Sequence, residues 1–195
     1  DYLNENIEGS SVMMMVSESL RVALLTEHLL LSKVTSSITS ELVENRTKSI
    51  HKTLQLDFGI PNPKIAMLSI DPHAGDNGVI GTIDNMVLAP CINFMKKEGI
   101  QVGGPFPADS FFGSMKYKEF DVVIAPYHDQ GLIPFKMCSF SSGVNFTSGL
   151  EIVRTSPVHG PAFDLTGKNM ADIGSFKQSV IQACLIYKNR ISLNL

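Results

Sequence analysis

Phe120-Asp121-Val122-Val123-Ile124-Ala125 runs directly into Pro126-Tyr127-His128-Asp129-Gln130-Gly131. The apolar, β-branched half suits a strand buried on both faces, whereas His, Asp and Gln at its carboxyl end add nothing to packing. Such a junction belongs to an open α/β sheet, in which ligands bind beyond the carboxyl ends of the parallel strands. Two other segments repeat the design. Arg21-Val22-Ala23-Leu24-Leu25 runs toward His28, and Lys64-Ile65-Ala66-Met67-Leu68-Ser69-Ile70 runs into Asp71-Pro72-His73-Ala74-Gly75. The expected fold class is therefore α/β, with three histidines delivered to one edge of a sheet.

A chain of 195 residues can bury a full core as one domain, or as one domain plus an appendage. A formal charge of −3 and a pI near 5.9 give no general attraction to nucleic acid or anionic membrane, so any cations that matter must be local. Cys91, Cys138 and Cys184 are odd in number, widely spaced and without a Cys-x-x-Cys pair. They read as free thiols of a reducing compartment. No apolar run approaches the ~20 residues of a membrane span, and Val12-Met13-Met14-Met15-Val16 is too short for a signal peptide. The expected setting is cytoplasmic.

Along the chain, Asp1 to Ser10 lacks an initiator Met and reads like the tail of a helix cut from upstream. Val12–Val16 and Arg21–Leu25 are adjacent strands joined by a turn over Ser17 to Leu20. Near-helical spacing of Ile38, Leu42, Val43, Ile50, Leu54 and Phe58 predicts a helix over 37–58, closed by Gly59 and Pro61. His51 lies within it as a solvated surface residue without a role. A helix is expected over 84–97, opened or kinked by Pro90 and ended by Gly99. Val102 to Asp109 is dense enough in Gly and Pro to read as a surface loop. A short helix over 132–137 carries Lys136. A hairpin turning at Ser148-Gly149 joins 144–147 to 150–155. The last helix opens with a capping box, Ser175 and Gln178, and buries a stripe of Val180, Ile181, Cys184 and Tyr187.

Neutral imidazoles are good ligands for zinc and similar divalent metals, and three with one open position describe a catalytic centre. His28, His73 and His128 are too far apart in the chain for a finger-type motif but fit ligands from separate strand ends. Each, taken alone, reads more readily as a hydrogen-bonded loop residue, and only the recurrence at the ends of three strand-like segments brings the ligand reading level with it. Lys136, Asn145 and Arg154 combine a point charge, an amide and a guanidinium fork, which can hold a phosphate or carboxylate, or simply be solvated at strand ends. His159 and the acids Asp71, Asp76, Asp109 and Asp129 serve as acid/base groups, ligand supports or turn formers, with Asp129 singled out by its place beside His128. Gly-x-Gly-x-x-Gly, Gly-x-Ser-x-Gly and P-loop motifs are all absent.

Asp71-Pro72-His73-Ala74-Gly75, Gly104-Pro105-Phe106-Pro107-Ala108-Asp109, Tyr127-His128-Asp129-Gln130-Gly131, Val144-Asn145-Phe146-Thr147 and Arg154-Thr155-Ser156 follow one another in a specific order. In that order and spacing, from about Val12 to the end, the chain resembles the 4-hydroxythreonine-4-phosphate dehydrogenase family of vitamin B6 biosynthesis. The resemblance implies a three-layer α/β/α fold like that of isocitrate and isopropylmalate dehydrogenases, with residues 1–195 forming its C-terminal region. It also implies a homodimer with a shared active site. The implied reaction is NAD-dependent, metal-assisted oxidation of 4-phosphohydroxy-L-threonine to a 3-oxo acid, which decarboxylates to 3-amino-2-oxopropyl phosphate. His28, His73 and His128 fall on the family's metal ligands, shared between two subunits. Lys136, Asn145 and Arg154 fall on substrate-binding positions, and Asp109 and Asp129 on acids near the substrate. Three imidazoles favour zinc, with cobalt, magnesium and manganese as the other candidates.

The chain departs from the family pattern at several points. Leu30 stands where a Pro is usual, Thr82-Ile83-Asp84 occupies a usually more acidic stretch, and Val158-His159-Gly160-Pro161 replaces Asp-His-Gly-Thr. An N-terminal portion that supplies a substrate-binding His-Thr pair is not represented. The competing readings are a divergent paralogue acting on another phosphorylated or carboxylated hydroxy acid, and a truncated, inactive metal-binding or dimerisation module.

Overall fold

A computed structural model describes residues 9–160 and 163–193. The opening residues before Gly9, and Pro161, lie outside them. The strands are β1 (Gly9–Val16), β2 (Arg21–Leu24), β3 (Lys64–Leu68), β4 (Gln101–Phe106), β5 (Val122–Ala125), β6 (Val144–Leu150) and β7 (Arg154–Pro157). They form one seven-stranded sheet in the order β4-β3-β5-β2-β1-β6-β7. β4, β3, β5 and β2 are mutually parallel, and β1, β6 and β7 continue the sheet antiparallel.

Strand parity sorts the apolar side chains into two cores. Ala23, Ile65, Met67, Val122 and Ile124 face one way, onto helices α1 (Leu31–Ser37), α2 (Ser40–Leu56) and α3 (Ala89–Lys97). Val22, Leu24, Ala66, Leu68, Val123 and Ala125 face the other, toward α4 (Ala108–Gly113) and α5 (His128–Ser139). Because the parallel strands are buried on both faces, they show no polar alternation. Helix α6 (Gly174–Leu193) packs along the β6–β7 edge. Its Arg190 is held by Asp57, with Nε to Oδ1 at 2.6 Å, and by the Glu151 carbonyl at 2.7 Å.

Several expectations are corrected. The helix predicted over 37–58 is two helices, because Thr39 breaks out of the helical region and caps α2 by accepting from the Leu42 N–H. Residues 84–97 open with a π-helical segment, Asp84–Leu88, before Pro90 starts α3 within its first turn. The Gly- and Pro-rich stretch read as a loop is strand β4 followed by α4. β4 is an edge strand, so Pro105 removes no bond that the sheet requires. Ser148 and Gly149 lie inside β6, and the turn falls at residues 151–153. α5 begins at His128 itself and runs through Pro134.

The capping box and apolar stripe of the last helix are also overturned. Val180, Ile181, Cys184 and Tyr187 are exposed, and Ser175, Ser179 and Ile186 face the sheet. The two small residues admit the helix close to the sheet while their hydroxyls stay paired. Ser175 Oγ donates to the Gly143 carbonyl and accepts from the Val158 N–H, and Ser179 Oγ donates to the Phe176 carbonyl. Val158 is buried in the second core. Cys91, Cys138 and Cys184 are free thiols, as expected. Among the described residues no helix is long and apolar enough to cross a membrane.

Candidate functional site

The β2–β5 ladder does not stop where the strands stop. Leu25 N–H donates to the Ala125 carbonyl, and Thr26 donates to the Pro126 carbonyl from both its N–H and its hydroxyl, at 3.1 and 2.8 Å. These bonds hold the segment after β2 against the segment after β5. His28 and His128 emerge two residues further along each chain, with ring centroids 5.7 Å apart. Asp129 Oδ1 lies 2.7 Å from His128 Nδ1. This acid therefore supports the imidazole of the neighbouring residue, the role that a carboxylate plays behind a metal-ligating histidine.

α5 is seated by Gly131. A Cβ at this position would lie 2.6 Å from Val22 Cγ1 and 2.9 Å from Ala125 Cβ. Gln130 Nε2 donates to the Ser69 carbonyl at 2.7 Å, tying the first turn of α5 to the end of β3.

His73 stands beyond β3, the other parallel neighbour of β5, so all three histidines lie at the same edge of the sheet. Its backbone is unusual. His73, Ala74, Gly75, Asp76 and Asn77 all have positive φ, between 43° and 79°. L-residues visit that region singly, at about 1–2 kcal/mol each, so the surroundings must impose the run. Asp84, fully buried, accepts the Ile70 and Asp71 N–H groups on its two carboxylate oxygens at 2.9 and 3.0 Å. Burial pushes its pKa up, against the pull of those two bonds. The Ile80 N–H closes onto the Gly75 carbonyl, and Gly75 sits so near the Gly81 carbonyl that only a glycine fits.

Two adjoining cavities flank His28. The larger, about 300 Å³, has Glu27, His28, Leu31, Tyr127, His128 and Asp129 among its walls. The smaller, about 170 Å³, is bounded by Met13, Glu27, His28, Asn145, Thr147 and Arg154. Asn145 and Thr147 share the less buried face of β6, and Thr147 is in register with Arg154 on β7. Arg154 Nη1 donates to Thr147 Oγ1 at 3.0 Å, which fixes the guanidinium. Asn145 Oδ1 is buried without a hydrogen-bond partner among the described residues. A buried amide oxygen left unpaired is costly unless a ligand completes it.

Of the expected site residues, the fold thus unites His28, His128, Asp129, Asn145 and Arg154. Lys136 lies eight residues after His128 on α5, about 12 Å further along the helix axis, half-buried and outside both cavities. Asp109 is exposed in the first turn of α4, also outside both. His73 does not join the other two histidines, and among the described residues no group of three metal-ligating side chains converges. His159 is exposed, with Nδ1 near the Gly160 carbonyl. His51 is half-buried rather than solvated.

Glu27 was not singled out from sequence, although it directly precedes a candidate ligand at a strand end. It lines both cavities. Tyr127 and Thr147 were likewise visible only as members of longer motifs.

A family model described as the pyridoxal phosphate biosynthetic protein PdxA matches residues 1–183. The 4-hydroxythreonine-4-phosphate dehydrogenase of Bacteroides thetaiotaomicron is 42% identical over 192 residues, covering 97% of this chain and 53% of that protein. The crystal structure of the Klebsiella pneumoniae 4-hydroxythreonine-4-phosphate dehydrogenase superposes with a TM-score of 0.81 at 32% identity, over 95% of this chain and 55% of that one. A terephthalate 1,2-cis-dihydrodiol dehydrogenase from Burkholderia xenovorans shares the fold at a TM-score of 0.72 and 27% identity, over 89% of this chain and 55% of that one. The chain spans about half the length of the curated relatives it matches.

Proposed function

Because the chain belongs to the family of pyridoxal phosphate biosynthetic proteins described by that model, we propose that it forms the metal- and substrate-binding part of an NAD-dependent 4-hydroxythreonine-4-phosphate dehydrogenase. The substrate is 4-phosphohydroxy-L-threonine. Its C3 hydrogen leaves as hydride to NAD, its hydroxyl proton is released, and the resulting 3-oxo acid loses its carboxylate as carbon dioxide, C2 taking up a proton from solvent to give 3-amino-2-oxopropyl phosphate.

The observation that carries this reading is that His28 lines both cavities. An imidazole pair, His28 and His128, thereby adjoins an anion-holding pair, Asn145 and Arg154. The donor chemistry fits a divalent metal. His128, with Asp129 at Nδ1, presents Nε2 as the coordinating nitrogen, and a second imidazole stands beside it. His73 of a second copy of the chain supplies the third ligand in this reading, in a homodimer that shares its sites. Leu30 and Leu31, 68% and 70% exposed beside His28, give that contact an apolar rim. A bound divalent ion, zinc being best suited to imidazoles, supplies the Lewis acid that lowers the pKa of the substrate hydroxyl.

The chain's own residues bind and orient. Arg154, fixed by Thr147, takes an anionic group, and the unpaired Asn145 carbonyl accepts a substrate donor. NAD is the hydride acceptor that the reaction requires, and no residue of this chain is assigned to it.

Two measurements test the reading. Metal analysis after mild purification should find zinc or a similar ion, lost when His28 or His128 is replaced by Ala. Unchanged metal content in both variants rules out the imidazole pair as ligands. NADH absorbance should rise when the chain, set in its full-length protein, is given 4-phosphohydroxy-L-threonine, metal and NAD. A flat trace under those conditions eliminates this dehydrogenase activity.

A further inference from the structure

Glu27 is an unexpected side chain for a site that binds a phosphorylated acid. It stands in the wall common to both cavities, beside His28 and across the smaller one from Arg154 and Asn145. It is pinned there. Among the described residues, the Met13 N–H donates to Oε1 at 3.1 Å and Arg46 Nη1 donates to the same oxygen at 2.9 Å, while none donates to Oε2. Arg46 projects from α2 and Met13 from β1, so two separate elements hold the carboxylate in place. Arg154 is itself occupied with Thr147 and forms no ion pair with Glu27. The ion pair with Arg46 offsets the charge of the carboxylate, but Oε2 and Arg154 remain in the small cavity as an acceptor and a cation that are not paired with each other.

A bipolar cavity of this kind matches a ligand carrying both charges. A carboxylate oxygen with no donor among the described residues, held in a part-buried wall, is complementary to an ammonium group. We propose that Glu27 is a substrate-specificity residue, whose Oε2 receives the ammonium group of an amino-acid phosphate while Arg154 takes an anionic group of the same molecule. This inference rests on the dehydrogenase reading above and narrows it: the site takes amino-acid phosphates in preference to hydroxy-acid phosphates. A ligand with a hydroxyl in place of the amine offers one neutral donor instead of a charge-assisted one and loses the stronger bond.

Titration calorimetry of the full-length protein that carries this chain decides the matter, with zinc present and two ligands compared. One is 4-phosphohydroxy-L-threonine, and the other is its analogue in which a hydroxyl replaces the amino group. The wild-type protein should bind the amine about ten-fold more tightly or better, the span expected of one hydrogen bond to a charged group. Glu27→Gln keeps a carbonyl oxygen for Met13 and Arg46 but turns an amide NH₂ toward the ligand. It should bring the two affinities to within about two-fold by weakening the amine alone. Glu27→Asp, which keeps the charge on a shorter arm, should retain part of the preference.

Equal wild-type affinities overturn the proposal without any variant, so it stays testable if Glu27→Gln unfolds. Parallel weakening of both ligands by Glu27→Gln also overturns it, since that is the mark of a merely structural role. Binding of neither ligand by the wild-type full-length protein removes the dehydrogenase reading and this inference with it.

Discussion

At the scale of single residues, the site depends on which nitrogen of each imidazole is committed. A neutral His128 that donates from Nδ1 to Asp129 keeps its lone pair on Nε2, and the residue lines a cavity that His28 also lines. Orientation here comes from an adjacent carboxylate, since Asp129 Oδ1 lies 2.7 Å from His128 Nδ1. His51 shows the opposite use of burial. Half sunk into α2, its pKa is lowered because desolvation disfavours the imidazolium. The unfolded chain, with a histidine pKa of about 6.5, then binds a proton that the fold resists. Stability is therefore full above that pH and falls as the pH drops below it toward the lower folded value. His51→Gln should lose less melting temperature between pH 7 and pH 5 than the wild-type chain does. A thermal melt series across that range reads this directly, and identical slopes for the two proteins contradict it.

At the scale of elements, the site is assembled by extending a ladder past its strands. Leu25 and Thr26 carry the β2–β5 pairing on to Ala125 and Pro126, and the close seat of Gly131 on Val22 and Ala125 sets the angle at which α5 leaves the sheet. Gly131→Ala forces a methyl into contact with Val22 and Ala125, which are both fully buried and cannot retreat. Overpacking of this kind costs about 1–3 kcal/mol. Denaturant unfolding should show the loss with an unchanged m-value, alongside weaker metal binding as His128 moves. A neutral substitution would mean that α5 can shift freely on the sheet.

The three parallel strands and their polar ends were legible in the sequence because each signal is local: a β-branched run followed by residues with no packing value. The β4 strand was not, since Gly103, Gly104 and Pro105 are poor strand formers that an edge position tolerates. The buried face of α6 was not legible either. Its contact with the sheet is made by small, internally satisfied serines, while the larger apolar side chains point outward, opposite to what hydrophobic periodicity predicts. Nor does any local signal foretell the left-handed run from His73 to Asn77, or that the backbone just before it, at Ile70 and Asp71, is tied to a buried carboxylate arriving from residue 84.

At the scale of the whole molecule, one chain brings together two imidazoles and leaves the third apart. His28 and His128 adjoin, whereas His73 is exposed on its left-handed loop at the same sheet edge without converging on them. A catalytic zinc centre takes three protein ligands, so under the proposed function the missing donor comes from a second copy related by two-fold symmetry, which delivers its His73 to the first copy's pair and receives the same in return. This reciprocity makes a prediction that an intrachain site does not share. His73→Ala and His128→Ala chains should each fail to hold metal alone. Refolded together, the mixed dimer has one site built from the intact pair of the first chain and the intact His73 of the second, while its other site lacks two ligands. Random assortment of subunits then restores metal to about one quarter of the wild-type content per chain. Mixing His28→Ala with His128→Ala should restore none, because those two ligands come from the same chain and no pairing of the subunits reunites them. Metal analysis of the two mixtures after gel filtration distinguishes the cases, and a mixture of His73→Ala and His128→Ala that stays empty rejects the shared site.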